Sequence, residues 1–162
     1  MKFRKNFAVL CFFGGLYLIM ELLMRTARME LADWNGLSPL SLAGWTSLWM
    51  FPIGGLCGLL IGLLNERRKM PVWLMAVIGT TGIYVIELVF GLLLNVWLEL
   101  RLWSYEGWPL TIGDQITFLY LPVWFLLTPL AIWIDDSLRH LLYGKDRPEP
   151  LRVIYMNLFK LR

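Results

Sequence analysis

The sequence predicts an all-α integral membrane protein, a four-helix bundle with both ends of the chain in the cytoplasm. Three observations lead there. Hydrophobic residues fill 58% of the 162 positions and charged residues only 17%, with the charges clustered between long apolar runs. Each of those runs is close to the length needed to cross a hydrocarbon core about 30 Å thick. The basic residues are divided unequally between the two sides that the runs define.

The first run, about 7–25, follows Lys2, Arg4 and Lys5. Those charges and the apolar stretch resemble a signal peptide, but no small-x-small cleavage pattern closes it, so an uncleaved first span is expected. Residues 26–44 are turn-rich, with Asn35-Gly36 and Ser38-Pro39 as breakers. The second span, about 45–64, opens on Trp45 and Trp49, carries Pro52 and ends in Asn65-Glu66-Arg67-Arg68-Lys69. Pro71 suits the first position of the third helix, about 72–97. The fourth, about 116–134, contains Pro122 and Pro129 and stops at Asp135-Asp136. The spans make up a transmembrane domain over 1–143, and 144–162 forms a basic tail.

Orientation follows from the cations. Lys2, Arg4, Lys5, Arg67, Arg68, Lys69, Arg139, Lys145, Arg147, Arg152, Lys160 and Arg162 share one side, twelve against Arg25, Arg28 and Arg101 on the other. The richer side is expected to be the cytoplasm of a bacterial cell with the protein in its inner membrane. Trp34, Trp45, Trp49, Trp97, Trp103 and Trp108 map to the opposite boundary, as interfacial anchors do. The final stretch LRVIYMNLFKLR is basic and amphipathic, suited to the inner leaflet or to a partner.

Two carboxylates interrupt the apolar pattern. Glu21 lies 14 residues beyond Phe7, and Glu87 lies 15 beyond Val72. At about 1.5 Å per residue, both reach the outer half of the membrane. Arg25 can pair with Glu21 one turn away. Glu87 has no cation within a turn of its own helix and needs a donor on another helix, or water. The expectation is that Glu21, Arg25 and Glu87 converge between the first and third helices, with Trp103 and Tyr105 closing the outer side and a proton available for exchange. Gly54, Gly58 and Gly62 recur every four residues and predict a close helix contact, within the chain or with another copy. The order Glu, Trp-rich loop, Pro-kinked helix occurs twice, as Glu21 to Pro52 and Glu87 to Pro122, and suggests a parallel two-helix repeat.

Other classes find little support. The charge of +3 sits at segment ends rather than in a phosphate-tracking patch, so no nucleic acid is expected. Cys11 and Cys57 lie inside apolar runs, without metal-ligand spacing. His140 stands alone just past the fourth span, and no catalytic triad or phosphate loop is present, so neither an enzyme nor a bound metal or cofactor is expected. Asp135, Asp136 and Arg139 read as a charged membrane boundary.

Several motifs occur together in order. They are Glu21; Gly44-Trp45-Thr46-Ser47-Leu48-Trp49-Met50-Phe51-Pro52-Ile53-Gly54-Gly55; Glu87-x-x-x-Gly91-Leu92-Leu93-Leu94-Asn95; Trp103-Ser104-Tyr105; and Pro109 with Ile112-Gly113-Asp114-Gln115-Ile116. Over roughly residues 14–134 this pattern resembles the type IV ABC-transporter membrane protein family (CmpB-like), related to small animal four-span membrane proteins. The chain departs from it at Ser104, where the family has Asp, at Glu106, where it has Ser, and at Gly54, where it has Tyr. The resemblance implies transport and a separate ATPase or other membrane subunit.

The expected function is a transport-related, permease-like component in the lipid bilayer. Its polar site is drawn from Glu21, Arg25, Glu87, Asn95, Trp103 and Tyr105, with a homo-oligomer to enlarge the small interior. The alternative is a non-transporting scaffold or assembly factor acting through helix packing.

Overall fold

The computed structural model describes residues 2–27, 46–66 and 70–160. Asn35-Gly36, Ser38-Pro39, Arg28, Trp34, Trp45, the basic run at 67–69 and Arg162 lie outside the described residues. The elements are α1 (Lys2–Ala27), α2 (Met50–Glu66), α3 (Val72–Gly91), a π-helical turn (Leu92–Trp97), strands β1 (Thr111–Ile112) and β2 (Ile116–Thr117), a 3-10 turn (Phe118–Tyr120), α4 (Leu121–Tyr143) and α5 (Leu151–Phe159). The described residues are all-α apart from that small antiparallel hairpin, which pairs Thr111 with Thr117 and Ile112 with Ile116.

Among the described residues, three helical stretches are long and apolar enough to cross a membrane: Arg4–Thr26, Val72–Trp97 and Phe118–Tyr143. α2 is equally apolar but has 17 residues, or about 25 Å at 1.5 Å per residue. It begins at Met50 because residues 46–49 form a turn, closed by the Met50 amide on the Ser47 carbonyl at 3.0 Å. Pro52 therefore occupies the first turn of its helix, where no N–H is needed, and Pro122 does the same in α4. Both prolines start helices rather than kink them; Pro129 is the one inside α4.

α4 also differs from the expected 116–134. Its first five positions go to β2 and the 3-10 turn, and the helix continues past Asp135-Asp136 to Tyr143. The continuation is stabilised one turn on, where Arg139 Nε donates to Asp135 Oδ2 at 2.7 Å. Gly144 then ends the helix in the left-handed region, φ 62°, which glycine adopts without a Cβ penalty.

α1 and α3 run upward, α2 and α4 downward. The upper end carries the turn and hairpin of 92–120, and the lower end carries Glu66 and Gly144. α1 packs along α2, which also touches α3 and α4; α1 and α4 scarcely meet. Cys57, Ile61, Met75, Ile83 and Ile132 form the lower core, and Met50, Ile53 and Leu94 the upper. The buried surface includes small and polar groups, such as Gly79, Thr80 and Glu87 on α3, while Val85 and Val89 of the same helix are each 55% exposed. An apolar exterior around an interior that admits small and polar groups suits lipid better than water.

The expected glycine contact is internal. A Cβ at Gly54 would lie 2.1 Å from Tyr17 Cβ, and one at Gly58 2.3 Å from Phe13 Cβ. At Gly62 it would come within 3.0 Å of both Arg139 and Asp135. Gly54 and Gly58 thus seat α1, and Gly62 seats a charged pair of α4.

The tail doubles back along the bundle. α5 packs on α3 and α4 with Ile154 and Leu158 buried. Tyr155 donates to the Leu126 carbonyl at 2.8 Å, about 25 Å from Tyr143 along α4 at 1.5 Å per residue. The amphipathic face read as free for a membrane surface is taken by the chain's own helices.

Gly58→Leu should lower the midpoint of thermal unfolding in mild detergent by several degrees, an overpacking cost of about 1–3 kcal/mol. Gly15→Ala, where a Cβ meets nothing within 4 Å, should leave it unchanged or raise it. Equal effects at the two sites would contradict the seating of α1 on α2.

Candidate functional site

The polar residues of the spans face each other because of four-residue spacing. Tyr17, Glu21 and Arg25 form one row on α1, and Glu87, Gly91 and Asn95 form another from α3 into the π-helical turn. The two rows meet at the upper end. Tyr17 donates its hydroxyl to Glu87 Oε1 at 2.9 Å. One turn above, Arg25 Nε donates to Glu21 Oε1 at 2.7 Å, and its Nη2 reaches the Leu102 carbonyl at 2.9 Å. Glu87 is 9% exposed and Arg25 4%, so neither charge is a surface feature.

The wider π-helical turn brings Asn95 round to the loop. Its Oδ1 accepts the Leu102 amide at 2.7 Å, and its Nδ2 donates to Gln115 Oε1 at 2.8 Å. Gln115 in turn donates to the Gly113 carbonyl at 3.0 Å, and its own carbonyl accepts Trp103 Nε1 at 2.9 Å. Gly91 permits this approach, since a Cβ there would sit 2.7 Å from Gln115. The loop is strained as well as tied. Glu99, Arg101, Leu110 and Asp114 have φ between 51° and 57°, a conformation costing about 1–2 kcal/mol for a residue with a Cβ.

Together these groups enclose a cavity of about 740 Å³, within the size range of small-molecule sites. All six residues expected at the site, Glu21, Arg25, Glu87, Asn95, Trp103 and Tyr105, line it. Tyr105 also packs with Trp108 and Tyr120 at centroid distances of 5.7 and 6.1 Å, forming an aromatic wall. The structure adds Tyr17, Arg101, Glu106 and Gln115 to the lining. Glu87 takes a tyrosine donor, not Arg25, which is committed to Glu21 and the loop. Tyr17 stands four residues before Glu21, so the spacing could have revealed it. Gln115 follows the turn residues Gly113 and Asp114, and nothing local marks it as a bridge.

A second polar cluster occupies the lower end. Asp135 is 0% exposed. Its Oδ2 accepts from Arg139 and from Asn65 Nδ2 at 2.9 Å. Asn65 also donates to Asp136 Oδ1 at 3.0 Å, and Arg139 pairs with Glu66. Asp135, Asp136 and Arg139 therefore join α4 to α2 in the bundle interior rather than simply marking its edge. Asn65 and Glu66 complete the cluster from a segment that reads in sequence as loop. His140 Nδ1 donates to the Lys145 carbonyl at 2.6 Å, a tether for the tail. Among the described residues, no group of His, Cys, Asp and Glu side chains is placed to hold a metal.

No family model matches the chain, and no solved structure matches it.

Asn95→Ala removes the acceptor for the Leu102 amide. Hydrogen exchange at that amide should quicken by about tenfold, the equivalent of 1.4 kcal/mol and in the range of one buried hydrogen bond; unchanged exchange would show that the loop holds itself. At the lower end, Arg139→Leu leaves Asp135 buried without its cation and should cost about 3–5 kcal/mol. The double variant Asp135→Leu, Arg139→Leu should recover most of that loss in detergent unfolding. A double variant less stable than the single one would contradict the pairing.

Proposed function

We propose that the chain is a four-span protein of a bacterial inner membrane with its N-terminus and the Gly144 end of α4 on the cytoplasmic side, and that it acts as a transport-related, permease-like component through the upper cavity; the tail helix, expected from the sequence in the cytoplasm, instead climbs along α3 and α4 to the level of Leu126. The observation that carries this reading is the cavity itself, in which buried charges from two helices are turned toward a space large enough for a small molecule. The three long apolar helices support the membrane setting. α2 is the fourth span, short enough that its ends lie at or just within the interface. The division of cations in the sequence favours the outer side for the cavity, and keeps that sign without the three of the tail helix and its end.

The resemblance to the type IV ABC-transporter membrane family supports the same site, because Glu21, Glu87, Asn95, Trp103 and Tyr105 of its motifs line the cavity. Ser104, which stands where that family has Asp, lines it too, beside Glu106. An ABC-type role brings in a separate ATPase subunit. The scaffold alternative, and a homo-oligomer with it, need a surface other than the Gly54–Gly62 row, which already meets Tyr17, Phe13 and Arg139.

Accessibility labelling tests this reading. In a chain with Cys11 and Cys57 replaced by alanine, a membrane-impermeant thiosulfonate cation added outside intact cells should modify cysteine placed at Gly107, Ser104 and Glu87. It should spare cysteine placed at Leu94 and at Asp146. Reaction at position 146 from outside would overturn the topology. Reaction at 104 without reaction at 87 would reduce the cavity to closed packing.

A further inference from the structure

A thinly packed seam of the bundle lies between α1 and α4. An apolar groove of about 80 Å³ follows it, with Leu16 and Met20 on one side, Leu127 and Ala131 on the other, and Gly58 and Ile61 of α2 behind. At its upper end the Tyr17 ring stacks on Trp124, centroids 6.0 Å apart and planes 8° from parallel. Beside that stack is a chamber of about 50 Å³ bordered by Met20, Glu21, Glu87, Tyr105 and Tyr120. Tyr17 borders the groove, the chamber and the large cavity, and Glu21, Glu87 and Tyr105 border both the chamber and the cavity. A continuous surface thus runs from lipid-facing apolar seam to buried carboxylate.

Such a surface fits an amphiphile, and the charges specify its head. Glu87 takes one hydrogen bond, from Tyr17 to Oε1, and its carboxylate borders the cavity. Arg101 lines the same cavity from the exposed loop and makes no ion pair among the described residues. Glu21 and Arg25 largely satisfy one another. What remains is an anion at the floor, a cation at the rim and aromatic faces between them, from Trp103 and Tyr105. An ammonium is drawn to a carboxylate flanked by aromatic rings, and a phosphate to a guanidinium.

We infer that the groove and the cavity form one site for a phospholipid with a zwitterionic, ammonium-bearing headgroup. The ammonium sits at Glu87, the phosphate at Arg101, and one acyl chain follows the seam between α1 and α4. The enclosed part of the groove holds only a few methylene groups, and the rest of the chain lies along the open seam in contact with lipid. This inference rests on the proposed reading of the cavity as a ligand site and names what that site takes. A purely anionic lipid gains nothing at Glu87, and a soluble cation leaves the groove unused.

The test uses the full chain in mild detergent, incubated with equal amounts of phosphatidylethanolamine and phosphatidylglycerol of the same acyl chains. Lipid retained through size exclusion is counted by mass spectrometry. The wild type should retain phosphatidylethanolamine over phosphatidylglycerol by about tenfold, a difference of 1.4 kcal/mol. Glu87→Gln should bring the ratio back toward the input, and Ala131→Trp, which fills the groove, should lower retention of phosphatidylethanolamine by a similar factor. Arg101→Gln alters an exposed loop residue and should reduce retention several-fold even if Glu87→Gln fails to fold. Wild-type retention at the input ratio, or retention indifferent to Ala131→Trp or to Arg101→Gln, would overturn the inference. Soluble benzyltrimethylammonium separates the two readings. If it binds the wild type but not Glu87→Gln while Ala131→Trp leaves lipid retention unchanged, the cavity remains a ligand site and the lipid inference alone falls.

Discussion

A carboxylate inside an apolar bundle has to be matched by a donor that the bundle itself supplies, and the contact from Tyr17 to Glu87 meets that requirement. Everything at the upper end depends on it geometrically. It fixes the height of α1 against α3, which brings Arg25 level with Leu102 and lets it reach the loop carbonyl at 2.9 Å. The same height sets Gly54 and Gly58 opposite Tyr17 and Phe13, where backbone and ring approach closely enough that no side chain fits. Polar matching and small-residue packing are therefore two parts of one constraint. Shifting α1 by a residue would break both.

The two polar clusters differ in kind. The lower one is a tie between helices: Asp135, Arg139, Asn65, Glu66 and Asp136 bond to one another and join α2 to α4, with Asp135 Oδ1 buried without a partner among the described residues. A buried ion pair of this sort is weak evidence for stability in itself, because desolvation offsets most of the attraction. Its consequence is registry, since Arg139 reaches its partners only when Gly62 is level with it. The upper cluster is open. Its charges border a cavity of about 740 Å³, and its loop is held in a left-handed backbone at Arg101, the cation that faces the opening. Strain beside a cavity, with a π-helical turn at the same point, is the pattern of a site whose geometry is imposed by its surroundings.

Much of this was legible in the sequence. Long apolar runs locate helices through composition alone, and four-residue spacing aligns Glu21 with Arg25 and Glu87 with Asn95. Their convergence could be anticipated because a buried charge needs a partner, which is a physical demand rather than a pattern. Other features were hidden for equally physical reasons. Pro52 and Pro122 look like kinks inside apolar runs, and become first-turn residues only once the preceding turn and hairpin shorten those runs. Asp135-Asp136 looks like a membrane stop because nothing local shows that Asn65 and Glu66, 70 residues away along the chain, will cover it. The tail looks like a free amphipathic helix because its docking on α3 and α4 depends on contacts far apart in the chain. Local spacing reads well from sequence, whereas contacts that depend on how four helices are arranged do not.

The polar rows of α1 and α3 are energetically coupled beside the cavity, through Tyr17 and Glu87. A double-mutant cycle measures that coupling directly, using Tyr17→Phe and Glu87→Gln separately and together, with stability read from reversible unfolding in mixed detergent micelles. A coupling of about 1–2 kcal/mol is expected, as for a buried hydrogen bond to a carboxylate. Additive effects, with coupling below about 0.3–0.5 kcal/mol, would contradict it, because the two residues would then be neighbours without being partners.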